Sequence, residues 1–68
     1  MSVKVDAVKF RHELSRRGLK QAELAKLAKV DPNTVSSAAR GNALQQKQFR
    51  RIALALAACP ILDVDLVA

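Results

Sequence analysis

The chain has 68 residues, 50% of them apolar, and 12 Lys and Arg set against 6 Asp and Glu give a formal charge of +6. A chain of that length is one small domain that buries only about 60% of its unfolded surface, so its core is marginal; its apolar content still excludes a disordered tail. No apolar run approaches the roughly 18–20 residues of a membrane span. The start Met1-Ser2-Val3-Lys4-Val5-Asp6 has no apolar signal core, so a cytoplasmic protein is expected. Cys59 and His12 are each the sole residue of their type, which excludes an internal disulfide and a cysteine-based zinc site. Asp63 and Asp65 stand near the end, so residues 1–58 hold 12 cations against four carboxylates, a charge of +8. A basic body of this kind favours an anionic partner, either nucleic acid or a membrane surface.

Helical spacing dominates in chain order. Val3, Ala7, Phe10 and Leu14 form a rough apolar stripe. Asp6 as N-cap and Gly18 as the residue past the end bound a first helix at about 7–17. Leu24, Ala25, Leu27 and Ala28 give a second, short apolar face over 21–28. Asp31 and Pro32 open a third helix with an acidic cap and proline at its first position, and Gly41-Asn42 closes it. A fourth runs from about Gln45 to Ala58 with Phe49, Ile52, Ala53 and Leu56 inward, and Pro60 stops it. In residues 60–68 the alternation of Leu62, Val64 and Leu66 with Asp63 and Asp65 fits a strand, while the four-residue step from Leu62 to Leu66 fits a short fifth helix, the preferred reading. The expected class is all-α, a compact bundle of four to five helices, with residues 1–59 as the domain and 60–68 as an apolar, acidic tail.

Residues 21–41 are the most informative. Two helices of about eight residues are joined by little more than Lys29 and Val30, and so tight a turn makes them cross at a large angle over small side chains. Ala25, Ala28, Ala38 and Ala39 supply those, and Leu24, Val30 and Val35 form the wedge of core between the helices. Asn33, Ser36, Ser37 and Arg40, at i, i+3, i+4 and i+7, stand on the opposite face of the third helix. The stripe has small hydrogen-bonding groups, one cation and no carboxylate, which suits the DNA major groove. This is a helix-turn-helix pattern. Asn33 has the geometry for bidentate pairing with adenine, and Arg40, at the helix end, suits a phosphate better than guanine. A solvated helix face is the plainer account of the same stripe, and the preceding helix and the +8 body weigh against it.

These residues resemble the Cro and lambda-type repressor family of helix-turn-helix proteins, also called the xenobiotic-response-element family. The resemblance spans about residues 8–58. It is carried by Gly18-Leu19-Lys20-Gln21-Ala22-Glu23-Leu24-Ala25, by Asp31 to Val35, by Arg40-Gly41, and by Ile52-Ala53-Leu54-Ala55-Leu56. It implies a lambda-repressor-like bundle that binds palindromic operator DNA as a dimer and represses transcription. It also implies that Gln21 touches the DNA backbone and a base-contacting neighbour, that Asp31, Pro32, Asn33, Ser36 and Ser37 face the groove, and that the stretch after Gly41 follows a phosphate strand. Five positions depart from the family pattern. Lys20 stands where Ser or Thr usually caps the second helix, a loss of about 1 kcal/mol. Lys29 replaces a turn glycine whose φ is often positive, implying mild strain or a different turn. Pro32 offers no donor where many relatives read a base. Leu14 and Ala39 replace an Arg–Glu pair with an apolar contact.

The base-contacting set is therefore Pro32, Asn33, Ser36, Ser37 and Gln21. The phosphate-contacting set is Lys20, Lys26, Arg40, Asn42, Gln46 and Lys47, with Gln45 beside them and the N-terminus of the second helix adding oriented N–H groups. Ile61, Leu62, Val64, Leu66 and Val67 are the expected dimer interface, since such a patch on so small a domain is more often an interface than a surface. The alternative is that the tail folds back and completes the core. A second functional class also remains: an antitoxin or anti-activator that keeps the helix-turn-helix but holds a protein partner with this tail. No nucleophile–base–orienter set, phosphate loop or metal cluster can be assembled, so neither enzyme chemistry nor a cofactor is expected. His12 reads as a surface residue and Cys59 as a half-buried filler. The apolar side of the first helix is too narrow for a membrane-surface role.

Overall fold

The capping and breaking signals act where the sequence places them. In the computed structural model, which describes residues 2–62, the elements in chain order are β1 (Ser2–Val3), α1 (Ala7–Arg16), α2 (Gln21–Ala28), α3 (Pro32–Ala39), β2 (Leu44–Gln45) and α4 (Gln46–Ala58). The architecture is mostly helical, broadly the class expected, and each helix end falls within one residue of its sequence-based bound. No helix among the described residues is long and apolar enough to cross a membrane. Asp6 Oδ1 accepts from the Lys9 N–H at 3.0 Å and Asp31 Oδ1 from the Asn33 N–H at 2.8 Å, so both aspartates cap as their positions predict.

Three helices end in the same way. After α1, the Gly18 N–H bonds to the Ser15 carbonyl and the Leu19 N–H to the Leu14 carbonyl. Lys29 and Val30 repeat the pattern on Lys26 and Ala25, and Gly41 and Asn42 repeat it on Ala38 and Ser37. Each is a paired Schellman closure, which needs a left-handed residue. Gly18 (φ 62°) and Gly41 (φ 83°) adopt that conformation freely, but Lys29 adopts it too, at φ 57° and ψ 45°. The strain at Lys29 is therefore real, of the order of 1–2 kcal/mol for an L-residue with a side chain. It is offset by the burial that the turn allows, because α2 and α3 meet over Leu24 and Val35, both wholly buried.

The small residues lie where the tight turn requires them. Ala25, Ala28, Ala38 and Ala39 are all buried, with Phe10, Leu14 and Ile52 completing much of the core and Val30 packed on its edge. Leu14 and Ala39 both belong to this cluster. Two helices turn differently from the sequence reading. Leu27 is 55% exposed, because α2 buries the narrow arc of Leu24, Ala25 and Ala28, and Leu27 falls outside it. On α4, Ile52 and Ala55 are buried and Leu56 half-buried, while Phe49 is 37% exposed and Ala53 is exposed. Phe49 sits in the first turn of α4, where it lines an open surface hollow beside the core residues Val5 and Phe10.

Two further features were not anticipated. Val3, read as the first member of the α1 stripe, lies instead in β1, which pairs antiparallel with β2 through Ser2–Gln45 and Val3–Leu44. The Asp6 cap begins α1 after Val3, and the two-residue strands are too short to show an alternation. The pairing brings buried Val5 and Leu44 into the core.

Arg17, just past α1, is the other feature: only 11% of its side chain is exposed. Its Nε donates to the carbonyls of Leu56 at 2.8 Å and Cys59 at 3.1 Å, and its Nη1 donates to Glu13 Oε1 at 2.8 Å. Arg16 Nη1 meets the other Glu13 oxygen at 2.8 Å. The hydrogen bond from Arg17, reinforced by the charge and hydrogen bond of Arg16, holds the Glu13 carboxyl below its ordinary range.

Residues 60–62 are not helical, and the Leu62 N–H donates to the Arg16 carbonyl at 2.9 Å. The chain thus folds back onto the end of α1 as far as Leu62. The fifth helix expected for 60–68 does not begin by Leu62, and residues 63–68 lie outside the described residues.

Candidate nucleic-acid interface

The site is built on α2, the turn at Lys29–Asp31, and α3. Asp31 and Pro32 start α3 directly after the Lys29 closure, and Ala38 and Ala39 turn one face of α3 into the core. The opposite face is then set by the helical period. Pro32, Asn33 and Arg40 are exposed, and Ser36 and Ser37 are half-buried. Val35, wholly buried, anchors the helix from below.

Around this face lie the other expected contacts. Gln21 is the first residue of α2 and is exposed, Lys20 is its N-cap, and Lys26 is exposed further along the helix. Asn42, past the Gly41 closure, is exposed, and its N–H bonds to the Ser37 carbonyl at 3.0 Å. Gln45 belongs to β2 and precedes the first turn of α4, where Gln46 and Lys47 are exposed.

The side chains divide by what already holds them. Arg11, Arg16, Arg17 and Arg51 each bond within the protein. Among the described residues, by contrast, the side chains of Lys20, Gln21, Lys26, Asn33, Ser36, Ser37, Arg40, Asn42, Gln46 and Lys47 enter no hydrogen bond or ion pair. The polar groups of the expected set are thus free to meet a ligand without first breaking an internal bond.

Helix starts divide similarly. Asp6 and Asp31 cap α1 and α3, whereas neither Lys20 at α2 nor Gln45 at α4 supplies a side-chain cap. The two starts without a capping oxygen are those nearest the expected phosphate contacts. They differ in charge, which the sequence reading passed over. Glu23 Oε1 accepts from the Lys20 N–H at 3.1 Å and so places a carboxylate in the first turn of α2. No acid stands in the first turn of α4, which carries Lys47. The α4 start is therefore the better anion site of the two. Gln45 and Gln46, where an Asp or Ser cap would be usual, are the sequence signal for it.

The expected interface residues Ile61 and Leu62 are both exposed, at 44% and 60%, although the Leu62 backbone is bonded to α1. Val64, Leu66 and Val67 lie outside the described residues. Cys59 is half-buried and free, and no group of three or more metal-binding side chains occurs among the described residues. No protein-family model matches the chain, and neither the curated proteins nor the solved structures contain a significant match to it.

Proposed function

We propose that this chain is a helix-turn-helix DNA-binding protein of lambda-repressor-like architecture. In this reading it is a cytoplasmic, dimeric transcriptional regulator of repressor type that reads an operator through the major groove with α3. The observation that carries the reading is the outer face of α3. Asn33, Ser36, Ser37 and Arg40 share it with no carboxylate among them, their side chains held by no internal hydrogen bond, one tight turn away from α2. A groove-reading helix needs such a face, because acids repel phosphates and internally bonded groups are lost to base edges.

Each side chain has a role in that complex. Asn33 pairs with adenine, Ser36 and Ser37 make tolerant contacts, and Pro32 packs against the groove edge. Gln21 supports the reading residues from α2. Lys20, Lys26, Arg40, Asn42, Gln46 and Lys47 hold the phosphates, with Lys47 and the amides at the α4 start contributing most on the downstream side. With one strong bidentate reader, discrimination rests partly on DNA shape.

Selection of bound duplexes from a randomised pool at about 100 mM salt tests this directly. An enriched inverted repeat, with half-sites about 34 Å or one helical turn apart, is the expected result. Retention of duplexes without any shared sequence would reduce the chain to a non-specific polycation and overturn the proposal.

A further inference from the structure

The C-terminal halves of α2 and α4 leave an open groove of about 430 Å³ between them. Leu27, Leu54 and Ala58 make its apolar lining, and Lys29 and Arg51 stand in its wall. Leu27 is 55% and Leu54 64% exposed, a large apolar pair to leave in water on a domain of this size. Neither leucine belongs to the core or to the face proposed for DNA. No carboxylate lines the groove. Arg51 Nη1 donates to the Lys29 carbonyl at 3.4 Å, which brings the guanidinium across to the α2 side, beside the Lys29 backbone. The groove is thus apolar in its lining and cationic at its side.

The same chain contains the complementary sequence. Asp63 and Asp65 are the two of its six carboxylates that lie outside the basic body, and they alternate with Val64 and Leu66. In an extended segment, successive side chains point to opposite sides and alternate ones share a side about 6.6 Å apart, so Val64 and Leu66 can enter an apolar groove while the aspartates remain at its cationic edge. In its own copy the chain leaves the lining of the groove after Ala58. Leu62 is bonded to the C-terminal end of α1, and α1 is not a wall of the groove.

We infer that the groove between Leu27 and Leu54 receives residues 63–67 of a second copy of this chain, with Asp63 and Asp65 paired to its Lys29 and Arg51. Exchange of the segments is reciprocal under two-fold symmetry, so both grooves are filled. The inference rests on the two-copy part of the proposed function and is independent of DNA recognition.

Sedimentation equilibrium of the full chain without DNA, with two cross-linking variants, tests it. The wild type is expected to dimerise at micromolar concentration, and Leu54→Asp, at a position already exposed, to weaken the dimer about tenfold or more while its helical circular dichroism is unchanged. For the cross-link, Cys59→Ser is combined with Leu54→Cys in one chain and with Leu66→Cys in another. Oxidising an equal mixture is expected to join the two different chains in preference to like chains. A monomeric wild type overturns the inference together with the two-copy reading, and leaves DNA selection as a separate result. A dimer indifferent to Leu54→Asp, or oxidation without preference for the mixed pair, overturns the groove alone. In a control chain that carries Cys59→Ser, Leu54→Cys and Leu66→Cys together, a disulfide formed within the chain, with none between chains, assigns the groove to its own tail and also overturns the inference.

Discussion

Arg17 Nε lies 2.8 Å from the carbonyl oxygen of Leu56, a contact across 39 positions that fastens the end of α1 to the end of α4. The same guanidinium takes the Cys59 carbonyl and the Glu13 carboxylate, so one side chain gathers the last turn of α1 and the exit from α4. Hydrogen bonds from a charged donor contribute about 1.5–3 kcal/mol each when their partners are left without a replacement. Water and the Cys59 N–H still serve the Leu56 carbonyl once the arginine is gone, which limits the loss. Arg17→Ala is expected to lower stability by about 2–3 kcal/mol in urea denaturation, and Arg17→Lys to recover only part, because an ammonium does not reproduce the planar fork. A loss below about 0.5 kcal/mol would show that the fastening contributes little.

Glu13 sets the acid side of that cluster. Its folded-state pKa is depressed by hydrogen bonding from Arg17 and by the charge and hydrogen bond of Arg16. Its contribution to stability is therefore fully present above its ordinary value of 4.5 and is lost as pH falls through the lower folded value. The stability difference between wild type and Glu13→Gln should be constant near neutral pH and shrink in acid. Chemical denaturation across that range measures it, and a difference that widens as pH falls would contradict the assignment. The Arg17 bonds to backbone carbonyls do not titrate, so the α1–α4 fastening outlasts this loss.

Lys29 invites the opposite kind of change. It occupies the left-handed conformation that glycine takes at the two other Schellman closures. Lys29→Gly is expected to stabilise the fold by about 0.5–1 kcal/mol, the relief of strain being partly offset by the greater freedom of glycine in the unfolded chain. Lys29→Val is expected to destabilise, since a β-branched residue tolerates this region worst. Urea midpoints of the two variants, compared with wild type, decide the sign.

Gly18 and Leu62 form a tighter contact. A Cβ on Gly18 would lie 2.9 Å from Leu62 Cδ1, at a φ of +62° that already disfavours a side chain. Gly18→Ala is expected to cost about 1–2 kcal/mol through backbone strain. It is also expected to push Leu62 off the end of α1. Amide exchange at Leu62 should then accelerate more than exchange at Leu24, because only the former depends on the bond to Arg16. Equal acceleration at both sites would instead indicate a global loss of stability.

The DNA proposal predicts different losses at Asn33 and Arg40. Asn33→Ala should cost about 1–3 kcal/mol and relax selection at one base pair of each half-site. Arg40→Ala should weaken binding to all sequences alike and reduce the salt slope by about 1 per subunit. With four or five cations of each copy on phosphates, a dimer has a log–log slope of about −7 to −9. Titrations on an enriched duplex at several salt concentrations separate the two variants. Unchanged affinity in both would remove α3 from the interface.

The composition of the outer α3 face is legible in the sequence. Asn33, Ser36, Ser37 and Arg40 share a side because the helical period places them there, and Asp31-Pro32 sets its phase. The unequal starts of α2 and α4 were less legible. Glu23 reads as an ordinary helix residue until its carboxylate is seen to bond the Lys20 N–H.

The sequence by itself determined where the helices begin and end, because caps, proline and glycine act within a few residues of their own position. Asp6, Asp31-Pro32, Gly18 and Gly41 are such signals. Only the tertiary structure decided which apolar side chains are covered. Leu27 and Phe49 match the local pattern yet stand in water, and Ala55 is buried in their stead, because burial depends on what distant elements bring to a helix face. The same reason hid the β1–β2 pair and the Arg17 fastening. Each joins residues some forty positions apart, and no local spacing encodes a partner that only folding brings near.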